Sequence, residues 1–181
     1  MKKILSVCHI GAGRIGFTLE FDKRRSKPAS HVGMWGKEKS VKLSAVCEKK
    51  EIKKSQLNKV ARGAKVYKDY IKAIQIEKPD IVSIATWKDS HFKITSKCID
   101  LGIKVIVLEK PLANSIKQAN LLIKKIKRNK VKVLINHRRR FDEKIIRLKQ
   151  LIKSGIIGDI IQVSSYYVYG VLTTGTHLVD T

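Results

Sequence analysis

Two short motifs, far apart in the chain, carry residue types that together can do redox chemistry. Gly11-Ala12-Gly13-Arg14-Ile15-Gly16 follows the apolar run Ile4 to Ile10, and Glu109-Lys110-Pro111 follows the apolar run Ile103 to Leu108. In the first, Gly11 permits a tight turn, Gly13 lets the backbone approach pyrophosphate oxygens, and Gly16 lets a helix pack close to its strand. Unpaired backbone N–H groups and the positive end of a helix then face the phosphates. The stretch Gly11, Ala12, Gly13, Arg14 and Ile15 is therefore expected to line a dinucleotide. The second motif sets Lys110 at the carboxyl end of another strand, the edge where ligands of open parallel sheets bind. A lysine buried beside a nicotinamide can take a hydroxyl proton as hydride leaves the same carbon, and return it in reverse. A lysine at a strand end is otherwise simply solvated, so the pair of motifs carries the reading.

Other positions fall around these two. Glu48 ends the second apolar run and can accept both ribose hydroxyls of an adenosine, which favours NAD over NADP; Lys49 and Lys50 beside it tolerate a 2′-phosphate. The expected cofactor is NAD or NADP, with NAD favoured. Ala85-Thr86-Trp87 follows the fourth run and faces the glycine loop across the cofactor, with Trp87 on the nicotinamide side. His91 either joins that contact or is a helix-start residue held by packing. Glu109 is grouped with the cofactor contacts as the neighbour of Lys110. His177, in Gly175-Thr176-His177, can hydrogen-bond the reacting oxygen and assist Lys110. Arg138, Arg139 and Arg140 either bind an acidic group or pair with Asp142 and Glu143, the second being favoured.

The elements that must position these residues are legible as an alternation. Strands are expected at Ile4–Ile10, Val41–Cys47, Ala64–Tyr67, Ile81–Ala85, Val105–Leu108 and Val131–Ile135, short runs apolar on both faces, as in a covered parallel sheet. Between them lie amphipathic stripes such as Ile94, Cys98 and Leu101, or Ala119, Leu122, Ile123 and Ile126. The fold class is α/β, a doubly wound parallel sheet with right-handed crossovers. Asp22 to Ser40 is polar, carries Pro28, and reads as a long loop inserted after the first helix. Its His31 and Trp35 either touch a ligand or pack on their own domain, the second being favoured. A dinucleotide-binding domain over 1–136 is followed by a changed pattern over 137–181: a helix from Phe141 to Lys153, then one long strand from Ile160 to Tyr169.

Bulk properties narrow the function classes. The net charge is +24 and the pI about 10.1, yet the excess is lysine spread over helix faces without interleaved aromatics. This argues against nucleic acid as a specific partner. No apolar run is long enough to span a bilayer. Cys8, Cys47 and Cys98 lack metal-ligand spacing and read as small buried thiols of a reducing cytosol, with no metal site.

In this order along the chain, the residues resemble the Gfo/Idh/MocA family of nicotinamide-dependent oxidoreductases. Gly11 to Gly16, Glu48, Ala85 to His91, Glu109-Lys110-Pro111, Arg140-Phe141 and Gly175 to Asp180 match its segments, and Glu-Lys-Pro after the fifth strand is the specific one. The resemblance implies a Rossmann domain followed by the start of an α/β domain with a large open sheet that forms the oligomer interface. It implies hydride transfer to or from sugars, cyclitols or related polyols, Lys110 as acid/base with His177 as partner, and a cis Lys110–Pro111 bond. Thr173 stands where many members carry an aspartate, and the chain stops where members continue through the rest of that sheet. The expectation is a fragment whose partner is a homo-oligomer mate or a missing C-terminal piece. The alternative is a dinucleotide-binding or regulatory module without turnover.

Overall fold

A computed structural model describes residues 4–166 of the chain. Residues 4–137 form one compact unit and 138–166 belong to another. The first unit is built on six parallel strands: β1 (Leu5–Ile10), β2 (Val41–Cys47), β3 (Lys65–Tyr67), β4 (Ile81–Ile84), β5 (Val105–Leu108) and β6 (Lys132–Ile135). They lie in the order β3-β2-β1-β4-β5-β6, so the winding reverses between β1 and β4. Each expected strand is present to within a residue at either end, because runs apolar on both faces can only be buried inside a covered sheet.

The connecting helices are α1 (His31–Lys37), α2 (Lys54–Val60), α3 (Tyr70–Glu77), α4 (Lys88–Asp100) and α5 (Ile116–Arg128). They cover two separate cores. On one face, Cys8, Ile10, Val82, Ile84, Ile106 and Leu108 pack with Ile94 and Cys98 of α4 and Leu122 of α5. On the other, Val7, Leu43, Val46 and Ile81 pack with Val32 and Trp35 of α1 and Leu57 of α2. The period-two alternation of β1 and β4 divides these sets, while in β2 an irregularity between Leu43 and Ala45 shifts the register, so that Leu43 and Val46 share a face.

The segment 22–40 departs from the expected loop, since it contains α1, with Ser30 as N-cap accepting from the Gly33 N–H. The glycine loop also does not run directly into a helix. Residues 14–17 make a turn and Thr18–Phe21 a 3-10 helix, after which the chain leaves and returns at Ser30. On returning, the His31 and Val32 N–H groups donate to the carbonyls of Ile15 and Gly16, at 3.1 and 2.9 Å. These are the bonds that positions 19 and 20 of an uninterrupted helix would make. α1 is thus the first helix resumed after an insertion. The inserted arm is closed by the buried Glu20, whose Oε2 accepts from the Ala29 and Ser30 N–H groups and the Ser30 hydroxyl at 2.8–2.9 Å.

In the second unit, a 3-10 turn at Arg138–Phe141 leads into α6 (Glu143–Lys153), N-capped by Asp142, which accepts from the Lys144 N–H. Turns at Gly155 and Gly158 follow, both with positive φ. Over 160–166 the expected strand from Ile160 has no ladder partner among the described residues; Tyr167 to Tyr169, Thr173 and His177 lie outside them.

Candidate functional site at the carboxyl edge of the sheet

The chain places the sequence-identified residues in a row. The first residue beyond five of the six strands donates its N–H to the neighbouring strand: Glu48 to Tyr67, Gly11 to Cys47, Ala85 to Ile10, Glu109 to Ile84 and Asn136 to Leu108, all at 2.8–2.9 Å. Glu48, Gly11, Ala85, Glu109 and Asn136 therefore stand side by side along the carboxyl edge. Gly11 and Ala85 flank the switch point, and Glu109 is two strands, roughly 10 Å, from Gly11.

The glycine loop has the shape a diphosphate needs. Gly11 has φ +97°, and a Cβ there would stand 2.7 Å from the Ala85 carbonyl oxygen, so only glycine fits the turn. At Gly16 a Cβ would fall 2.0 Å from the Gly11 oxygen. Gly13 is the opposite case, exposed and with nothing within 4 Å of its would-be Cβ. The space above this exposed backbone is open. Arg14 and Ile15 are exposed beside it. The Glu48 carboxylate reaches the loop: Oε2 accepts from the Ala12 N–H at 2.8 Å and Oε1 from the Lys50 N–H at 3.1 Å. The half-buried Glu48 carboxylate thus ties the end of β2 to the glycine loop.

Across the switch point, Trp87 is two-thirds exposed at the start of α4. Of the two roles the sequence left open for His91, the structure shows the packed helix-start residue. It is buried, with Nδ1 donating to the Pro111 carbonyl at 2.6 Å and Nε2 facing the Thr86 carbonyl at 3.0 Å. Both ring nitrogens face backbone carbonyls, so the side chain lies between the Thr86 and Pro111 loops and ties them together. Lys110 is exposed, in contrast to the expected burial, and the Lys110–Pro111 bond is cis.

The main feature that sequence reasoning missed is a buried polar set behind Lys110. Glu109 Oε1 accepts from His31 Nε2 at 2.9 Å and from Asn136 Nδ2, while Oε2 accepts from the Lys110 N–H at 3.3 Å. His31 Nδ1 lies 3.3 Å from Ser83 Oγ, which is 3.0 Å from His9 Nδ1; His9 Nε2 donates to the Gly11 carbonyl at 2.9 Å. The two imidazoles stack with centroids 5.5 Å apart. Burial, and then the neighbouring His31, push the His9 pKa down to about 3, so this ring is neutral. Ser83 has one hydroxyl proton for two ring nitrogens. It can donate to one of them and accept from the other. Burial alone would raise the Glu109 carboxyl, but the hydrogen bonds from His31 and Asn136 and the charge of His31 hold it below the usual carboxylate range. The signal was present: His9 and Ser83 are polar residues inside strands that are otherwise apolar, and a fully buried polar side chain needs a partner. His31 and Trp35, by contrast, are buried on their own domain, the favoured of the two sequence expectations.

Parallel strands ordered 3-2-1-4-5-6, with a glycine loop at the switch point and an acid at the end of β2, define a dinucleotide-binding Rossmann protein. Residues 5–137 match the oxidoreductase family with an NAD-binding Rossmann fold, Gfo/Idh/MocA, and the chain belongs to that family. It is 36% identical over 88 residues to oxidoreductase P35 of Formosa agariphila, covering 49% of this chain and 27% of that protein. It is 32% identical over 97 residues to an inositol 2-dehydrogenase/D-chiro-inositol 3-dehydrogenase of Lacticaseibacillus casei, 53% of this chain and 28% of that protein. The rhizopine catabolism protein MocA of Rhizobium meliloti is 27% identical over 157 residues, 87% of this chain and 45% of its own length. Among solved structures, scyllo-inositol dehydrogenase from Lactobacillus casei, with bound NAD(H) and scyllo-inositol, superposes with TM-score 0.72 at 22% identity over 87% of this chain and 43% of that one. The chain thus spans less than half the length of these relatives. Among the described residues no group of side chains is set to hold a metal ion, and no helix is long and apolar enough to cross a membrane.

Proposed function

We propose that the chain binds NAD in the crevice between the Gly11–Gly16 loop and the Ala85–Trp87 loop and serves a dehydrogenase reaction on a cyclitol, sugar or related polyol. The observation that carries this reading is the row along the carboxyl edge, where the glycine cradle, Glu48 and Lys110 share one rim. Gly11 to Ile15 would hold the diphosphate, Glu48 the adenosine ribose, and Thr86 and Trp87 the nicotinamide half. A bound nicotinamide supplies the hydride acceptor or donor. Lys110 is exposed on the rim and there takes or returns the hydroxyl proton of the substrate, which is general acid–base work. His177 is its proposed partner at the reacting oxygen. The substrate class rests on the inositol dehydrogenases among the similar proteins.

The test is NADH formation from NAD with a panel of cyclitols and sugars, using wild type and Lys110→Ala. Turnover with at least one polyol is expected, falling by roughly 10²–10⁴-fold in the variant, the contribution typical of a positioned acid/base. Turnover that survives Lys110→Ala contradicts the role of Lys110. Cofactor binding without turnover on any polyol contradicts the dehydrogenase reading and leaves a binding module.

A further inference from the structure

Lys110 is the middle residue of a turn whose two sides are each held by a buried histidine from a different helix. Before it, His31 at the start of α1 donates to Glu109 Oε1, and the other oxygen of that carboxylate accepts the Lys110 N–H. After it, His91 in the first turn of α4 donates to the carbonyl of Pro111. The two histidines are 5% and 1% exposed, whereas the residue between their attachment points is exposed. Both imidazoles are turned toward protein atoms: His31 toward Glu109 and Ser83, and His91 toward the Pro111 and Thr86 carbonyls.

Two buried imidazoles cost desolvation and are poor fillers for an apolar core. Helix α1 brings His31 to the edge only because its first turn takes up the Ile15 and Gly16 carbonyls after the inserted arm. The arm has its own closure through Glu20 and does not need His31. Likewise α4 begins at Lys88 without a side-chain cap, and His91 reaches past its own helix start to the Glu-Lys-Pro turn. Both side chains are therefore directed at one short segment, the one whose exposed member the proposed chemistry uses.

We propose that His31 and His91 are positioning residues for Lys110: a clamp from two helices that fixes the Glu109–Pro111 backbone and so aims the lysine at the rim beside the glycine loop. His31 acts through Glu109, with Asn136 as the second donor to the same oxygen. His91 acts through the Pro111 carbonyl. The inference deepens the proposed function and rests on it for the use of Lys110, but the clamp itself is a property of the chain alone.

The experiment therefore needs no cofactor. Amide hydrogen exchange is followed by NMR at Lys110 and, as a reference, at Val46 in the middle of the sheet, in wild type, His31→Leu, His91→Leu, His31→Gln and His91→Gln. Val46 reports global opening; Lys110 reports the turn. Both leucine variants are expected to speed exchange at Lys110 by more than they speed it at Val46. The glutamine variants, which keep an N–H donor, should restore part of the protection. Asn136→Ala, which removes the other donor to Glu109 from a half-buried position, serves if His31→Leu does not fold, and should also speed exchange at Lys110 selectively. Equal acceleration at Lys110 and Val46, or none at Lys110, overturns the clamp and leaves the histidines as general structural residues. A second measurement links the clamp to function. Acetic anhydride labelling of Lys110, read by peptide mass, should be blocked by NADH in wild type and no longer blocked in His91→Leu that still binds NADH. Protection that persists in that variant also overturns the proposal. If wild type binds no NADH, the proposed function fails while the exchange result still decides the clamp.

Discussion

The two faces of β1, β4 and β5 are built from alternate residues of the same strands, yet they do different work. On the α4 and α5 face, Cys8, Ile10, Val82, Ile84, Ile106 and Leu108 make an uninterrupted apolar layer, each at most 4% exposed. On the α1 face the strands begin apolar, at Val7, Ile81 and Val105, and then turn polar, at His9 and Ser83 one step before the carboxyl edge and at Glu109 on it. The apolar face stabilises by burial alone and tolerates no partner accounting. The polar end of the other face is stable only while every donor and acceptor is paired, and that demand fixes geometry next to the rim. One sheet thus separates the part that holds the fold together from the part that sets the site.

This contrast can be broken from either side. The largest expected effect comes from Glu109→Ala, which leaves His31 buried without its carboxylate. A buried donor left without its acceptor costs about 1–3 kcal/mol, and here His31 and Asn136 both lose theirs, so urea denaturation should show a loss of about 2–6 kcal/mol together with loss of NADH binding. On the apolar face, Ile84→Ala should cost about 2–5 kcal/mol by the same measurement, since Ile84 is fully buried, but NADH affinity of the folded fraction should be unchanged. If Ile84→Ala weakens NADH binding as much as Glu109→Ala does, the division of labour between the faces is wrong.

Acid separates the faces more gently. His9 is neutral when folded, with its pKa pushed down to about 3, and takes a proton near 6.5 when unfolded. The unfolded chain then binds more protons over that window, so stability falls as pH drops from 6.5 toward 3, by up to about 1.4 kcal/mol per pH unit. The depressed carboxyl of Glu109 adds a loss of the same sign below the usual carboxylate pKa. His9→Asn should flatten the upper part of this limb in denaturation curves taken between pH 7 and 4; a limb that is unchanged contradicts the buried neutral ring. The smallest effect belongs to the thiols. Cys98 is fully buried in the apolar face with its pKa raised to about 12, first by burial and then by Cys8, and is inert. Cys98→Ala should lower stability by about 1 kcal/mol, the worth of one buried atom group, without touching binding.

What the sequence showed and what it hid follow the same division. The six strands were readable because Val- and Ile-rich runs apolar on both faces have one stable place, inside a covered parallel sheet. The row Gly11, Glu48, Ala85 and Glu109 was readable because residues just beyond such strands must share an edge. The helix α1 was not, because the inserted arm breaks the 3.6-residue periodicity between Gly16 and His31, and its continuity exists only in hydrogen bonds from residues 31 and 32 back to 15 and 16. The partners His31 and Glu109 are 78 positions apart and no local pattern joins them. The run from Ile160 reads as a strand, but a strand also needs a neighbour to pair with, and among the described residues 160–166 have none.

The most direct measurement is calorimetric titration of the intact chain with NADH and NADPH, for wild type and Glu48→Ala. Saturable binding with NADH preferred by wild type, and the preference weakened in Glu48→Ala, is the expected result for a dinucleotide held along the carboxyl edge. A folded wild-type chain that binds neither nucleotide would contradict it.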